Sequence, residues 1–280
     1  VFLEGINSSS DRKMFSNLFS EYGSQVKFVP CKSSENLARV NMAALSILES
    51  NLGWMEFYLV RDRDFLTDDA IKKYSEHFSG RMYVLNRYHI ENYLLEPDLI
   101  ARVQADVFGK PTSPAQVRQK FLSIARQMSG ETLRDMVSFR LNLLYRPEDF
   151  SLGDFMKGQP VLDTDGEWIS DRREDFKKRL VSKVEKVTGE LRHRTDPLKL
   201  DALISDCQAE VRQSIFGDDD GWRSLFPGRR LLEEYARREG LGQPLVLQNS
   251  LIKELSTTPE LVAPELRRVI RVVSEGGTFN

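Results

Sequence analysis

57-FYLVRDRDF-65 decides how this chain is read. The apolar run 57-FYLV-60 fits a buried strand, and it ends in two aspartates spaced i, i+2. Successive side chains on a strand alternate faces, so Asp62 and Asp64 are expected to point the same way. Two carboxylates at the carboxyl end of a strand form a hard-oxygen site suited to Mg²⁺. The chain opens with another apolar stub ending in an acid, Val1-Phe2-Leu3-Glu4-Gly5. An acid after one strand and D-x-D after another predict a carboxylate cluster at one edge of an α/β sheet.

The flanking segments alternate in type. Residues 11–21 carry Met14, Phe15, Leu18 and Phe19 at helical spacing, and 26–30 reads as a short strand closed by Pro30. Residues 34–52 predict a helix with Leu37, Val40, Ala44, Leu45 and Leu48 on one stripe, capped near Ser34. Residues 67–78 open with Thr67-Asp68-Asp69, a helix start, and 81–85 (RMYVL) is another strand. This order implies βαβ units, a parallel sheet, and functional residues at the carboxyl strand ends.

After residue 97 the pattern becomes helical. Helices are expected over 97–106, 113–129, 131–145, 171–190, 198–216, 229–239, 244–256 and 259–274. Gly130 separates two of them, 146–170 is irregular, and an Asp-Gly turn falls at 165–166. The predicted organisation is an α/β module over 1–96 and a helical portion over 97–280, without repeats or low-complexity tracts.

Bulk properties narrow the function classes. The net charge of −2 gives no global attraction to nucleic acid or anionic membrane, so a polyanion would need a local basic patch. Cys31 and Cys207 have no ligand-like spacing, which argues against a disulfide framework or structural zinc and fits a reducing cytoplasm. No apolar run approaches the ~20 residues of a membrane span, and no signal peptide is visible. The chain starts inside an apolar run without Met, so a few residues are expected to precede it.

A third segment, 87-RYHIENYLLE-96, follows the 81–85 strand. Glu91 and Asn92 could complete or orient a metal shell, and His89 could donate to phosphate. The alternative is a first helical turn with Glu91 favoured by the helix dipole and His89 as packing. Arg61 and Arg63 alternate with the aspartates and read as structural ion-pair partners. The richest basic stretch is 172–199, where helical spacing aligns Arg172, Arg179, Lys183 and Lys186 near one face. It reads either as a nucleic-acid contact or as a solvated helix with pairs such as Glu174–Lys178.

Taken together, Glu4-Gly5, Asp11 at a helix start, 58-YLVRDRDF-65 and 88-YHIENYLLE-96 resemble a TOPRIM domain. More narrowly they resemble TOPRIM effectors that accompany ABC-type ATPases in bacterial anti-phage defence, such as those of PARIS systems. The overcoming-lysogenization-defect nucleases are more distant relatives. The segment 226-FPGRRLLEEYA-236 is similar to the helix after a Pro-Gly-Lys motif in these proteins, with Arg229 in place of the Lys. The spacing from Glu4-Gly5 to Asp11 is about two residues longer than the usual E-G-x-x-D.

The resemblance implies a glutamate and a D-x-D pair around Mg²⁺ (or Mn²⁺), so Glu4, Asp62 and Asp64 take the metal and Glu91 joins the catalytic set. It implies a nuclease cleaving RNA, such as tRNA, or DNA, as a toxic effector. It further implies an ABC-type ATPase partner and a homodimer. The chain has no G-x-x-x-x-G-K-[ST], so ATP dependence would come from the partner. Two other readings stay open: an inactive TOPRIM-like binding subunit of an ATPase complex, and a D-x-D phosphatase or nucleotidyltransferase. Glu4 is a poor phospho-acceptor where the phosphatase needs an aspartate.

Overall fold

The computed structural model describes residues 1–3, 10–31, 47, 50–51, 56–145, 158, 160–163, 165–167, 169–187, 197–217 and 220–279. Four strands form one parallel sheet in the order β2-β1-β3-β4: β1 (Phe2–Leu3), β2 (Val29–Pro30), β3 (Leu59–Arg61) and β4 (Met82–Val84). The 57-FYLVR-61 run supplies a central strand. Tyr58, Leu59, Val60 and Arg61 are all buried, as a strand covered on both faces requires. In register, Leu3 lies opposite Val60, and Val60 opposite Tyr83. The chain runs from β1 to β2 on one side and from β3 to β4 on the other. The strand order therefore reverses between β1 and β3.

Helix α1 (Ser10–Leu18) buries Met14 and Phe15, with the Phe15 ring tilted against Phe28. Helix α2 (Asp68–His77) starts as its sequence dictates: the Thr67 hydroxyl accepts from the Ala70 amide at 3.3 Å, and Asp68 and Asp69 sit in the first turn. The helix expected over 34–52 lies outside the described residues except for 47, 50 and 51.

The chain divides into two compact units, Val1–Val117 with Gly228–Asn280, and Arg118–Pro227. The first unit thus extends past the expected module at 1–96 and takes in helices from both ends of the expected helical portion. Helix α3 (Pro97–Phe108) buries Leu99, Ile100 and Val103. It packs on α9 (Pro244–Thr257), which also meets α1 and α8 (Gly228–Glu239). Helix α10 (Pro264–Ser274) completes the unit. Residues 259–274 do not form the single expected helix: a 3-10 turn at Pro259–Leu261 precedes α10. Pro264 pushes Ala263 out of the helical region, to ψ 135°, and restarts the helix at its own position. The C-terminal tail returns to the sheet, where the Phe279 amide donates to Gly80 O at 2.8 Å and its ring packs on Tyr58 and Tyr83.

The second unit holds most of α4 (Pro114–Tyr145), with α5 (Ser170–Val187), α6 (Pro197–Phe216) and the short α7 (Trp222–Leu225). Gly130 does not break α4. It is buried among Ser129, Thr132 and Leu133, and packing outweighs the ~1 kcal/mol propensity cost of a helical glycine. Trp222 stacks on Phe121 with centroids 5.1 Å apart, and Asp220 ties Arg118, Arg223 and the Trp222 indole N–H together. The expected turn at 165–166 is present: Asp163 Oδ1 accepts from the Asp165 and Glu167 amides, with Gly166 at φ 76°. Buried Arg140 grips Glu210 with two bonds of 2.6 and 2.7 Å. Beside it, burial pushes the Cys207 thiol up to about 11, against the pull of the Arg140 guanidinium. No helix among the described residues is long and apolar enough to cross a membrane.

Two outcomes are expected. Ending the chain at Pro227 removes the helices that cover α1 and α3, so the sheet unit should lose cooperative thermal unfolding. A truncated chain with the full-length Tm would refute this. Cys207 should resist thiol labelling at pH 8 until the protein unfolds. Because its folded pKa is raised from 9.0, its contribution to stability is flat below pH 9 and fades as pH rises towards 11.

Candidate functional site

Asp62 leaves the sheet immediately after β3, at the edge where β1 ends with Leu3. Its Oδ1 accepts the Ile90 amide at 3.0 Å. A shallow pocket at this edge is lined by Leu3, Phe15, Val60, Arg61, Asp62, Leu85 and Ile90. Glu4, the next residue after β1, lies outside the described residues, as does the side chain of Asp11.

Strand alternation does not relate Asp62 to Asp64. β3 ends at Arg61, so the D-x-D falls in the turn beyond it, and Asp64 adopts φ 49°. Left-handed backbone is uncommon outside glycine, and Asp tolerates it better than most residues. The Asp64 amide donates to Tyr88 O at 3.0 Å, which couples this turn to the segment after β4. Its carboxylate lies between a guanidinium and an imidazole: Arg61 Nη2 is 3.4 Å from Oδ2, and His89 Nε2 is 3.4 Å from Oδ1. Arg61 is buried, with its guanidinium also over the Tyr74 ring. Arg63 instead turns outward to Asp68 at 2.6 Å. Both arginines thus have the structural partners expected of them, and the partner of Arg61 belongs to the D-x-D itself.

The segment 87–96 forms a 3-10 turn, Ile90–Leu94, fully buried along its length. Asn92 is its anchor. Its Oδ1 accepts from the His89 amide at 3.1 Å and from the Gly228 amide, at the start of α8, at 3.0 Å. Glu91, at 2% exposure, receives Arg229 through Nη2 at 2.7 Å and Nε at 3.2 Å on one oxygen. The two segments singled out in the sequence, 88–96 and 226–236, therefore meet. Glu91 acts here as the buried anchor of an exposed arginine. His89 is part-exposed and reaches Asp64, stacked beside Tyr88.

Sequence reasoning missed one residue at this edge, Glu265 at the start of α10. Its Oε1 accepts from the Tyr83 hydroxyl at 3.0 Å and the Asn86 amide at 2.7 Å, and its Oε2 accepts from the Tyr93 hydroxyl. Burial, reinforced by the Glu265 charge, pushes the pKa values of Tyr83 and Tyr93 well above the ordinary tyrosine value and keeps both as neutral donors. Glu265 reads in sequence as an ordinary first-turn acid after Pro264, and no local pattern reveals its partners.

Among the described residues, no three His, Cys, Asp or Glu side chains are grouped so as to hold a metal ion. The expected trio includes Glu4. Of the basic residues, Arg172 is exposed and Lys183 part-exposed on α5 of the second unit. The Lys186 side chain lies outside the described residues. The buried stripe of α5 is Phe176, Leu180 and Val184, and the expected basic face lies beside it.

Gly228 leaves no space for a side chain. A Cβ there would sit 2.5 Å from Asn92 Oδ1 and 2.7 Å from its amide nitrogen. Gly228→Ala should therefore destabilise the fold by roughly 1–3 kcal/mol and free Arg229 from Glu91. Urea unfolding monitored by tryptophan fluorescence checks the first effect, and a midpoint equal to wild type would refute it.

No protein-family model matches the chain, and no curated protein matches it.

Proposed function

We propose that the chain is a Mg²⁺-dependent nuclease of TOPRIM type, with Glu4, Asp62 and Asp64 as its metal-binding acids and Mn²⁺ as a substitute ion. The observation that carries this reading is the exit of Asp62 from the central strand of a parallel sheet, where the strand order reverses beside β1. Open α/β sheets collect ligands at that crevice. The donor set fits a hard divalent ion, because carboxylate oxygens are its preferred partners. Mg²⁺ bound there supplies positive charge to the scissile phosphate and lowers the pKa of an attacking water.

The protein's own groups do the rest. The Ile90 amide fixes the orientation of the Asp62 carboxylate. Arg61 balances the charge of Asp64, and the His89 ring lies against its other oxygen. In this reading Glu4 accepts the proton of the attacking water, and Glu91 holds Arg229 as a fixed cation. The substrate is a phosphodiester of RNA, such as tRNA, or of DNA, with Arg172, Lys183 and Lys186 as a basic contact surface. By its resemblance the chain acts in the cytoplasm as the toxic effector of an anti-phage system, as a homodimer restrained by an ABC-type ATPase.

A second reading is an inactive TOPRIM-like regulatory subunit of an ATPase complex. The Arg61 guanidinium on one oxygen of Asp64 and the His89 ring on the other favour it, since a metal held through Asp64 would have to displace them.

Incubating the purified chain with plasmid and with total RNA, in Mg²⁺, Mn²⁺ or chelator, separates the two. Groups that only orient metal ligands are worth about 10–100-fold in activity. Asp62→Asn or Glu4→Gln should therefore reduce cleavage by more than ~100-fold while the fold persists. Metal-independent cleavage, or cleavage untouched by both substitutions, would defeat the nuclease reading. Absence of cleavage on either substrate favours the regulatory one.

A further inference from the structure

We propose that Glu265 is a positioning residue for the acidic edge: it sets the loop that presents the Ile90 amide to Asp62. This rests on the reading of Asp62 as a metal-binding acid. Glu265 stands at the first turn of α10, 179 residues from Asn86 and 172 from Tyr93 along the chain. Its carboxylate gathers three donors. Two of them, the Asn86 amide and the Tyr93 hydroxyl, belong to the two ends of the segment 86–93, and the third, from Tyr83, comes from β4.

Between those ends lie Tyr88, whose carbonyl holds the Asp64 amide, and Ile90, whose amide holds Asp62 Oδ1. The loop is thus clamped at both ends by one side chain and makes its two contacts with the D-x-D in between. Arg87 closes the same clamp from within the loop. It donates to Asn92 O at 2.9 Å and to Glu96 at 2.8 Å, and its guanidinium lies over the Tyr93 ring.

Charge strengthens this clamp. Oε1 takes Tyr83 and Asn86 while Oε2 takes Tyr93, and bonds to a carboxylate are about twice as strong as those to a neutral amide. Glu265→Gln therefore weakens the clamp and keeps its volume. Tyr93→Phe removes one donor, keeps the ring under Arg87 and leaves the charge of Glu265 in place. It separates positioning from a simple loss of negative charge near a cation site.

The test measures Mn²⁺ affinity by calorimetry, Ile90 amide exchange by NMR, and Tm, on the full chain and on Glu265→Gln, Tyr93→Phe, Asp62→Asn and the Glu265→Gln/Asp62→Asn pair. Positioning predicts at least fivefold weaker Mn²⁺ binding and at least tenfold faster Ile90 exchange in both clamp variants. It also predicts that the double variant binds no more weakly than Asp62→Asn alone. A lower Tm with Mn²⁺ affinity and Ile90 exchange unchanged would overturn the proposal and leave Glu265 as a purely structural tie. If the wild-type chain binds no Mn²⁺, the metal reading of the site fails. Ile90 exchange then decides the positioning role by itself: faster in both clamp variants upholds it, and unchanged overturns it.

Discussion

Asn92 is the contact on which the rest of this edge depends. One buried amide oxygen accepts two backbone N–H groups, from His89 in its own turn and from Gly228, 136 residues away. A buried donor left unpaired costs about 1–3 kcal/mol, so this single side chain fixes the entry of α8 against the 3-10 turn. Once Gly228 is seated, the next residue can lie only beside the turn, and Arg229 reaches Glu91. A glycine is required at the join because the Asn92 backbone occupies the space a Cβ would take. The salt bridge is thus secondary to the amide contact that brings its partners together. Glu91 at 2% exposure also needs Arg229, since a buried carboxylate without a counter-charge is strongly disfavoured.

The two aspartates of the D-x-D are not equivalent. Asp62 is oriented by a backbone amide from outside its own strand, a neutral donor that carries no counter-charge. Asp64 sits in a left-handed turn between a buried guanidinium and an imidazole. The Arg61 guanidinium supplies the counter-charge at Asp64. Both contacts are 3.4 Å, longer than the ~2.7–2.9 Å of a strong charge-assisted bond. Asp64 is therefore held by its two partners without being locked by tight hydrogen bonds.

Much of the sheet was legible because its signals are local. The buried run at 57–61, the Thr67-Asp68-Asp69 start of α2 and the 81–85 strand each depend on neighbours a few residues apart. The readings that failed needed information from elsewhere. Gly130 looked like a break because propensity favours one, yet buried packing carries α4 through it. The helices after residue 228 showed which face each would bury but not against what, since amphipathicity names a face and no partner. Those stripes imply that the helices pack on the α/β module, but which elements they meet was invisible. D-x-D spacing drew attention to the turn after β3. The alternation argument attached to it failed because β3 ends one residue before the motif. Glu265 left no trace in sequence, because its three partners lie 172 to 182 residues away.

The same separation explains how this unit is stabilised. The strands are two or three residues long, too short to hold the acidic edge through their own ladders. Order at the edge is imported from the far end of the chain. α8 supplies Gly228 and Arg229, α10 supplies Glu265, and the tail supplies Phe279 against Tyr58 and Tyr83. Tyr83 connects two of these supports, since its ring meets Phe279 while its hydroxyl donates to Glu265. Closing such contacts across ~140–220 residues carries a loop entropy that grows only logarithmically with length, so distance in sequence is no obstacle once the helices are packed. The consequence is directional: anything that shifts α8 or α10 must also shift the loop whose amide holds Asp62. The acidic edge is built from the first third of the chain, but its geometry is set by the last fifth.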